Sequence, residues 1–207
     1  CQRDPHSITL LAASKTQPLS SIETAYRCGQ RDFGESYLQE AEKKITALQG
    51  KGIIWHFIGP IQSNKTHRIS ELFDWVHSVD RLKIAQRLNN QRPDNKAPLN
   101  ILLQVNVDNE PTKSGIQLSQ IMPLAKQIDS LDRVKLRGLM AIPAMQQDAE
   151  LQRKPFKLMS QALHELQQHY PDCDCLSMGM SGDMQAAIAE GSTLVRIGSA
   201  IFGSRIR

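Results

Sequence analysis

Eight short apolar runs, separated by stretches with helical periodicity, constrain this chain of 207 residues more firmly than any other feature of its sequence. The runs cover residues 8–14, 32–35, 53–58, 75–78, 101–106, 135–142, 175–178 and 193–197. Between them apolar side chains recur three and four apart. Leu38, Ala41, Ile45 and Leu48 make one stripe, Ile121, Leu124, Ala125, Ile128 and Leu131 a second, and Phe156, Met159, Leu163 and Leu166 a third. Such stripes give each helix one apolar face to lay on a sheet. Strands that alternate with helices pair in parallel through right-handed crossovers. Eight of them close a barrel whose interior is filled by side chains. The competing arrangement, an open doubly wound sheet, often carries a glycine-rich turn after its first strand. Here that turn reads Ser14-Lys15-Thr16-Gln17-Pro18 and has no glycine. The expectation is one (β/α)8 TIM barrel over residues 1–207, with 89–98, rich in Asn, Pro and charge, as a loop.

Composition narrows the function classes. The net charge of +4 comes from Lys and Arg scattered among acids, so nothing asks for nucleic acid. No apolar run approaches a membrane span and no secretory signal opens the chain, which points to the cytoplasm. Four cysteines (Cys1, Cys28, Cys173, Cys175) are too few and too irregular for a disulfide framework. Cys173-Asp174-Cys175 with His164 and His169 lacks standard zinc spacing and reads as a helix-to-strand turn with reduced thiols; no metal is expected.

Lys15 stands at the end of the first apolar run. It is either a surface lysine opening a loop or a reactive amine at the carboxyl face of the barrel, where α/β barrels hold their active sites. A lysine that attacks an aldehyde must be neutral, and a barrel mouth can supply the desolvation or nearby cation that this requires. After the seventh run comes Met180-Ser181-Gly182-Asp183, and after the eighth Ile197-Gly198-Ser199. Each small-residue turn opens a short helix and can either cap it or receive an anion. Arg196 lies between Val195 and Ile197 and points into the barrel if those two point out. A buried arginine needs a partner because it keeps its charge. That partner is either a carboxylate such as Glu35 or the pyridine nitrogen of a cofactor. A lysine amine, an arginine and two phosphate-sized turns together suggest pyridoxal 5′-phosphate (PLP) held as a Schiff base.

Longer motifs carry a resemblance. Ala12-Ala13-Ser14-Lys15-Thr16, Phe33-Gly34-Glu35-Ser36-Tyr37-Leu38-Gln39-Glu40 and Trp55-His56-Phe57-Ile58-Gly59-Pro60-Ile61-Gln62-Ser63-Asn64-Lys65 resemble the PLP homeostasis protein family. So do His77-Ser78-Val79-Asp80-Arg81, Lys113-Ser114-Gly115-Ile116, Arg137-Gly138-Leu139-Met140-Ala141-Ile142-Pro143 and the two C-terminal turns. The resemblance implies an alanine-racemase-like barrel without the C-terminal β domain of the racemases. It implies PLP bound through Lys15, phosphate contacts from Ser181, Gly182, Gly198 and Ser199, and Arg196 facing the pyridine nitrogen. It places His56 and Asn64 near the barrel mouth. Ser36 departs from the usual Asn, and Gly182 from a commoner acidic or small polar residue. The helix that the family carries before its first strand is expected to be missing, since only residues 1–7 precede the first run.

The function implied is PLP homeostasis: buffering and delivery of the cofactor, with apo PLP-dependent enzymes as recipients, and with effects on amino-acid and keto-acid metabolism. The alternative is a weak PLP-dependent racemase or lyase. A two-base racemase needs a second acid/base opposite the lysine. Of the tyrosines, Tyr26 and Tyr170 sit in helical patterns and only Tyr37 closely follows a strand. An arginine beside the pyridine nitrogen also weakens the electron sink. No efficient turnover, a monomer, and no nucleic-acid or membrane partner are expected.

Overall fold

A computed structural model describes residues 3–146 and 148–203. Its eight parallel strands close a barrel in sequence order. They are β1 (Thr9–Ala13), β2 (Asp32–Glu35), β3 (Ile54–Phe57), β4 (Trp75–Val79), β5 (Leu99–Val105), β6 (Val134–Ala141), β7 (Cys175–Ser177) and β8 (Leu194–Ile197). Each is followed by a helix: α1 (Leu19–Arg27), α2 (Leu38–Ala47), α3 (Thr66–Leu72), α4 (Leu82–Gln91), α5 (Ile121–Ile128), α6 (Ala149–Gln167), α7 (Met184–Ala189) and α8 (Ser199–Phe202). The barrel closes where Leu11 pairs with Arg196 and Ala12 with Ile197. No helix among the described residues is long and apolar enough to cross a membrane.

The strand alternation sorts side chains into two populations. Outward residues such as Ala12, Phe33, Trp55, Phe57, Val76, Leu103, Leu139 and Leu176 join the helix stripes in the larger core. Burying each of the larger of these stabilises the fold by about 1.5–3 kcal/mol. Inward residues Leu11, Leu102, Met140, Cys175 and Leu194, with Ile58 and Trp75 against them, make a smaller apolar plug inside the barrel. The tight weave needs glycine at one strand position. A Cβ on Gly138, at φ +138°, would lie 2.0 Å from the Cys175 carbonyl oxygen.

The structure corrects one element of the sequence reading. Residues 89–91 close α4 and do not open a loop. Asn89 is buried, and its Oδ1 accepts the Arg133 N–H at 2.8 Å. Arg92, also buried, donates to the carbonyls of Ser70, Phe73 and Ala97 at 2.6–2.8 Å. The polar composition of this stretch serves inward bonds. The Cys173–Cys175 segment is the turn into β7, and no cluster of three metal-ligating side chains occurs among the described residues. Cys1 lies outside the described residues.

Candidate functional site

The turn carrying Lys15 is clamped from outside the barrel. Ser14 follows β1; its N–H donates to the Gly34 carbonyl at 2.9 Å, and its hydroxyl donates to Glu35 Oε1 at 2.5 Å. Glu35 faces outward, away from the barrel interior, because Phe33 and Glu35 alternate with inward Asp32 and Gly34. There it meets α2: Lys44 Nζ donates to Glu35 Oε1 and to the Ser14 carbonyl, both at 2.8 Å, and also pairs with Glu40. Glu40 in turn accepts the Thr16 N–H at 2.7 Å. The Gln17 N–H closes the turn on the Ser14 carbonyl at 3.0 Å. Lys15 and Thr16 stand at its corners, and Thr16 has φ +65°. A β-branched residue in that left-handed region costs about 1–3 kcal/mol and persists only where its surroundings impose it. Burial pushes the Glu35 carboxyl up, opposed by the bonds from Lys44 and Ser14.

Lys15 lies half-buried at the carboxyl face, in a cavity of about 390 Å³. Arg196, Ser181, Gly182, Gly198 and Ser199 line the same cavity, with Ala13, Ile58, Ile142 and Met180 as apolar wall. Six of the eight residues expected at the site therefore meet in one place. The larger groove of about 680 Å³ beside α1 and α8 has no lysine or arginine among its described lining residues, and so no amine to meet an aldehyde.

Both small-residue turns leave their helix starts uncapped by side chains. Asp183 precedes α7, but its Oδ1 turns back to accept the Met180 N–H at 2.5 Å. Gly198 precedes α8 and has no side chain to cap it. The first N–H groups of a helix have no intrahelical acceptor, and Ser199, the first residue of α8, lines the cavity, as do Ser181 and Gly182 just before α7. Neither glycine is required by its backbone. Gly198 has φ −113°, and a Cβ on Gly182 would meet no atom within 4 Å. The space that each leaves open belongs to the cavity.

Arg196 points inward from β8 and is buried. It does not pair with Glu35, which the sequence reading offered as one partner, because Glu35 faces α2 on the other side of the sheet. Its guanidinium donates to the Ser177 carbonyl and hydroxyl at 2.7 Å and to the Ala141 carbonyl at 2.9 Å. Among the described residues no carboxylate forms an ion pair with it. Burial lowers it to about 10, with Asp183 acting in the opposite sense, so it stays charged at neutral pH.

His56 and Asn64 stand elsewhere. His56 is buried inside the barrel, bonded to His77 and Asp32, and is not at the mouth. Its inward direction follows from strand alternation, and Asp32, its partner, is the first residue of β2. Asn64 is exposed in the 3-10 turn Ser63–Lys65, outside the cavity lining. Ser36 does not line the cavity either; its carbonyl oxygen would sit 2.2 Å from a Cβ on Gly59, which holds that position to glycine. His77 and Ser177, which connect His56 to Arg196, were missed by sequence reasoning. The available signal was their inward parity on β4 and β7.

The cavity fits a phosphorylated aldehyde. It offers an amine, an inward cation bonded only to neutral groups, and glycine turns whose missing Cβ atoms leave room beside free N–H groups. Fold and cavity together define a parallel barrel with a strand-end lysine and a phosphate-sized recess after its last two strands. The family model for the alanine racemase N-terminal domain matches residues 8–206. The pyridoxal phosphate homeostasis protein of Escherichia coli K12 is 53% identical, over 99% of this chain and 89% of that one. That of Haemophilus influenzae is 52% identical, over 98% and 87%. PipY of Synechococcus elongatus PCC7942, solved with PLP bound, has TM-score 0.88 at 37% identity, covering 98% of this chain and 95% of that one. The chain belongs to the pyridoxal phosphate homeostasis protein family. Alanine racemase of Clostridium difficile 630 shares the fold, with TM-score 0.83 at 12% identity over 57% of its own chain.

Proposed function

We propose that this chain binds PLP at the barrel mouth and serves PLP homeostasis by holding and releasing it, without efficient turnover of its own. The observation that carries the reading is that Lys15, Arg196 and both small-residue turns line one cavity. PLP supplies an aldehyde that condenses reversibly with an amine. Lys15 is the amine that would hold it. Ser181, Gly182, Gly198 and Ser199 would hold the phosphate through N–H groups and hydroxyls. Arg196 would donate to the pyridine nitrogen and keep it unprotonated, which weakens the ring as an electron sink.

Storage is favoured over catalysis by what surrounds Lys15. Among the described residues lining the cavity, the remaining charged group is Arg196, which keeps its proton, so none of these residues serves as a second base opposite Lys15. The chain acts as a monomer in this reading. The described cysteines are free thiols, in keeping with a reducing cytoplasm. Apo PLP-dependent enzymes are the recipients in this reading. Mixing the PLP-loaded protein with an apo-enzyme should restore that enzyme's activity while no amino acid is turned over. A kcat in the usual enzyme range of about 1–10³ s⁻¹ on any amino acid would replace storage with a racemase or lyase.

A further inference from the structure

A continuous line of hydrogen bonds crosses the barrel interior from the start of β2 to the cofactor cavity. Asp32 Oδ1 lies 3.0 Å from His56 Nε2, and His56 Nδ1 lies 2.9 Å from His77 Nε2. His77 Nδ1 lies 2.9 Å from Ser177 Oγ, which accepts from Arg196 at 2.7 Å. The residues come from β2, β3, β4, β7 and β8, and both histidines and Ser177 are buried.

The two ends fix the direction of every bond between them. Asp32 as a carboxylate only accepts, so His56 carries its proton on Nε2. His56 Nδ1 is then an acceptor and takes the His77 Nε2 proton. His77 Nδ1 is left as an acceptor and takes the Ser177 hydroxyl proton. Ser177 Oγ is thereby free to accept from Arg196. Bonds aligned in one direction polarise and strengthen each other in a low dielectric. The line ends on an anion at Asp32 and a cation at Arg196 with three neutral groups between.

We infer that Asp32, His56, His77 and Ser177 are positioning residues that orient the Arg196 guanidinium toward the cavity without a carboxylate bonded to it there. A carboxylate bonded directly to Arg196 would hold it equally well but would compete with the cofactor for its protons. Placing the carboxylate at the far end of the barrel separates orientation from neutralisation. The surroundings favour the neutral histidines. Burial lowers His56 against the pull of Asp32 and Asp74, and burial, with His56 and Arg196, lowers His77 well below the usual range. Trp75 stacks on His56 with ring centroids 5.6 Å apart, and Arg137 lies 5.1 Å over the other groups' neighbour, the Trp75 ring.

The inference rests on the reading of the cavity as a PLP site, and its test has an arm that does not. In the apoprotein, nitrogen-15 NMR of the imidazoles should show His56 and His77 as the Nε2–H tautomer, with both titrating below the ordinary histidine value. Either ring as the Nδ1–H tautomer, or titrating near its ordinary value, overturns the relay. In the second arm, Asp32→Asn and Ser177→Ala are compared with wild type for PLP affinity and for the pH profile of the bound cofactor's absorption. Each should weaken PLP binding roughly ten-fold and move the profile, with circular dichroism unchanged. Two sites are used so that one failure to fold leaves the other informative. Wild-type binding and profiles retained in both folded variants would overturn the positioning role. A wild type that binds no PLP would instead refute the cofactor reading, and the tautomer measurement would still decide the relay.

Discussion

Glu40 accepts the backbone N–H of Thr16 at 2.7 Å, so a carboxylate on α2 fixes the turn that carries Lys15. The bond holds Thr16 at φ +65°, which its side chain disfavours. Glu40→Ala should release the turn, cost about 1–3 kcal/mol of stability and weaken PLP retention several-fold. Glu40→Gln keeps an acceptor oxygen and should recover most of the retention. Equilibrium dialysis of PLP against the two variants checks this; equal losses would place the effect in the Lys44 pair.

Lys44 and Glu35 are both buried and bonded at 2.8 Å. Removing one partner strands the other. Lys44→Met should cost about 3–5 kcal/mol in urea unfolding, whereas Lys44→Met with Glu35→Met should cost much less. A double variant as unstable as the single one would mean that the pair contributes more than mutual neutralisation.

Stability should fall on mild acidification. Burial holds His56 and His77 below their ordinary value, so the unfolded chain binds protons that the folded chain refuses. Their contribution is fully present above about pH 6.5 and is lost as pH falls toward the folded values, by about 1.4 kcal/mol per pH unit for each ring. Glu35, held above its usual value, acts in the opposite sense at lower pH. Urea midpoints should drop from about pH 7.5 to about pH 5.5, and His56→Gln with His77→Gln should flatten that slope. An equal slope in wild type and double variant would assign the loss to other groups.

The phosphate recess predicts an asymmetry between substitutions. Gly182→Val places methyl groups in open cavity space, so it should weaken PLP binding more than Ser181→Ala while leaving thermal stability nearly unchanged. Gly198→Val should also weaken binding, with some loss of stability, because a Cβ there would lie 3.4 Å from the Ala13 carbonyl oxygen and leave no room on that side for the branched methyl groups. Titration calorimetry against inorganic phosphate and PLP reads both. Unchanged affinity in both valine variants would remove the phosphate from these turns.

The barrel was legible because its signal is repetitive. The eight apolar runs and the helix stripes each restate the same layer arrangement, and strand ends moved by one or two residues only. The cavity was legible for a similar reason: Lys15, Ser181, Gly182, Gly198 and Ser199 follow strands, Arg196 lies in the last one, and the carboxyl face gathers them. The interior line was not legible. Whether His56 and His77 point in or out depends on strand parity, but that they touch depends on barrel tilt and radius. Those quantities are fixed by pairings between distant segments, such as Gly34 with His56 and Leu11 with Arg196. The partner of Glu35 was hidden likewise, because a buried carboxylate on the outer face is matched by Lys44 nine residues later across a turn.

Lys15 as the residue that holds PLP is the claim on which the functional account turns. Borohydride reduction of the PLP-loaded protein, followed by peptide mass mapping, tests it directly. One stable pyridoxyl adduct is expected, on Lys15, with loss of the visible absorption band in Lys15→Ala while circular dichroism is retained. An adduct fixed instead on Lys65 or Lys113, with Lys15 unmodified, would contradict it.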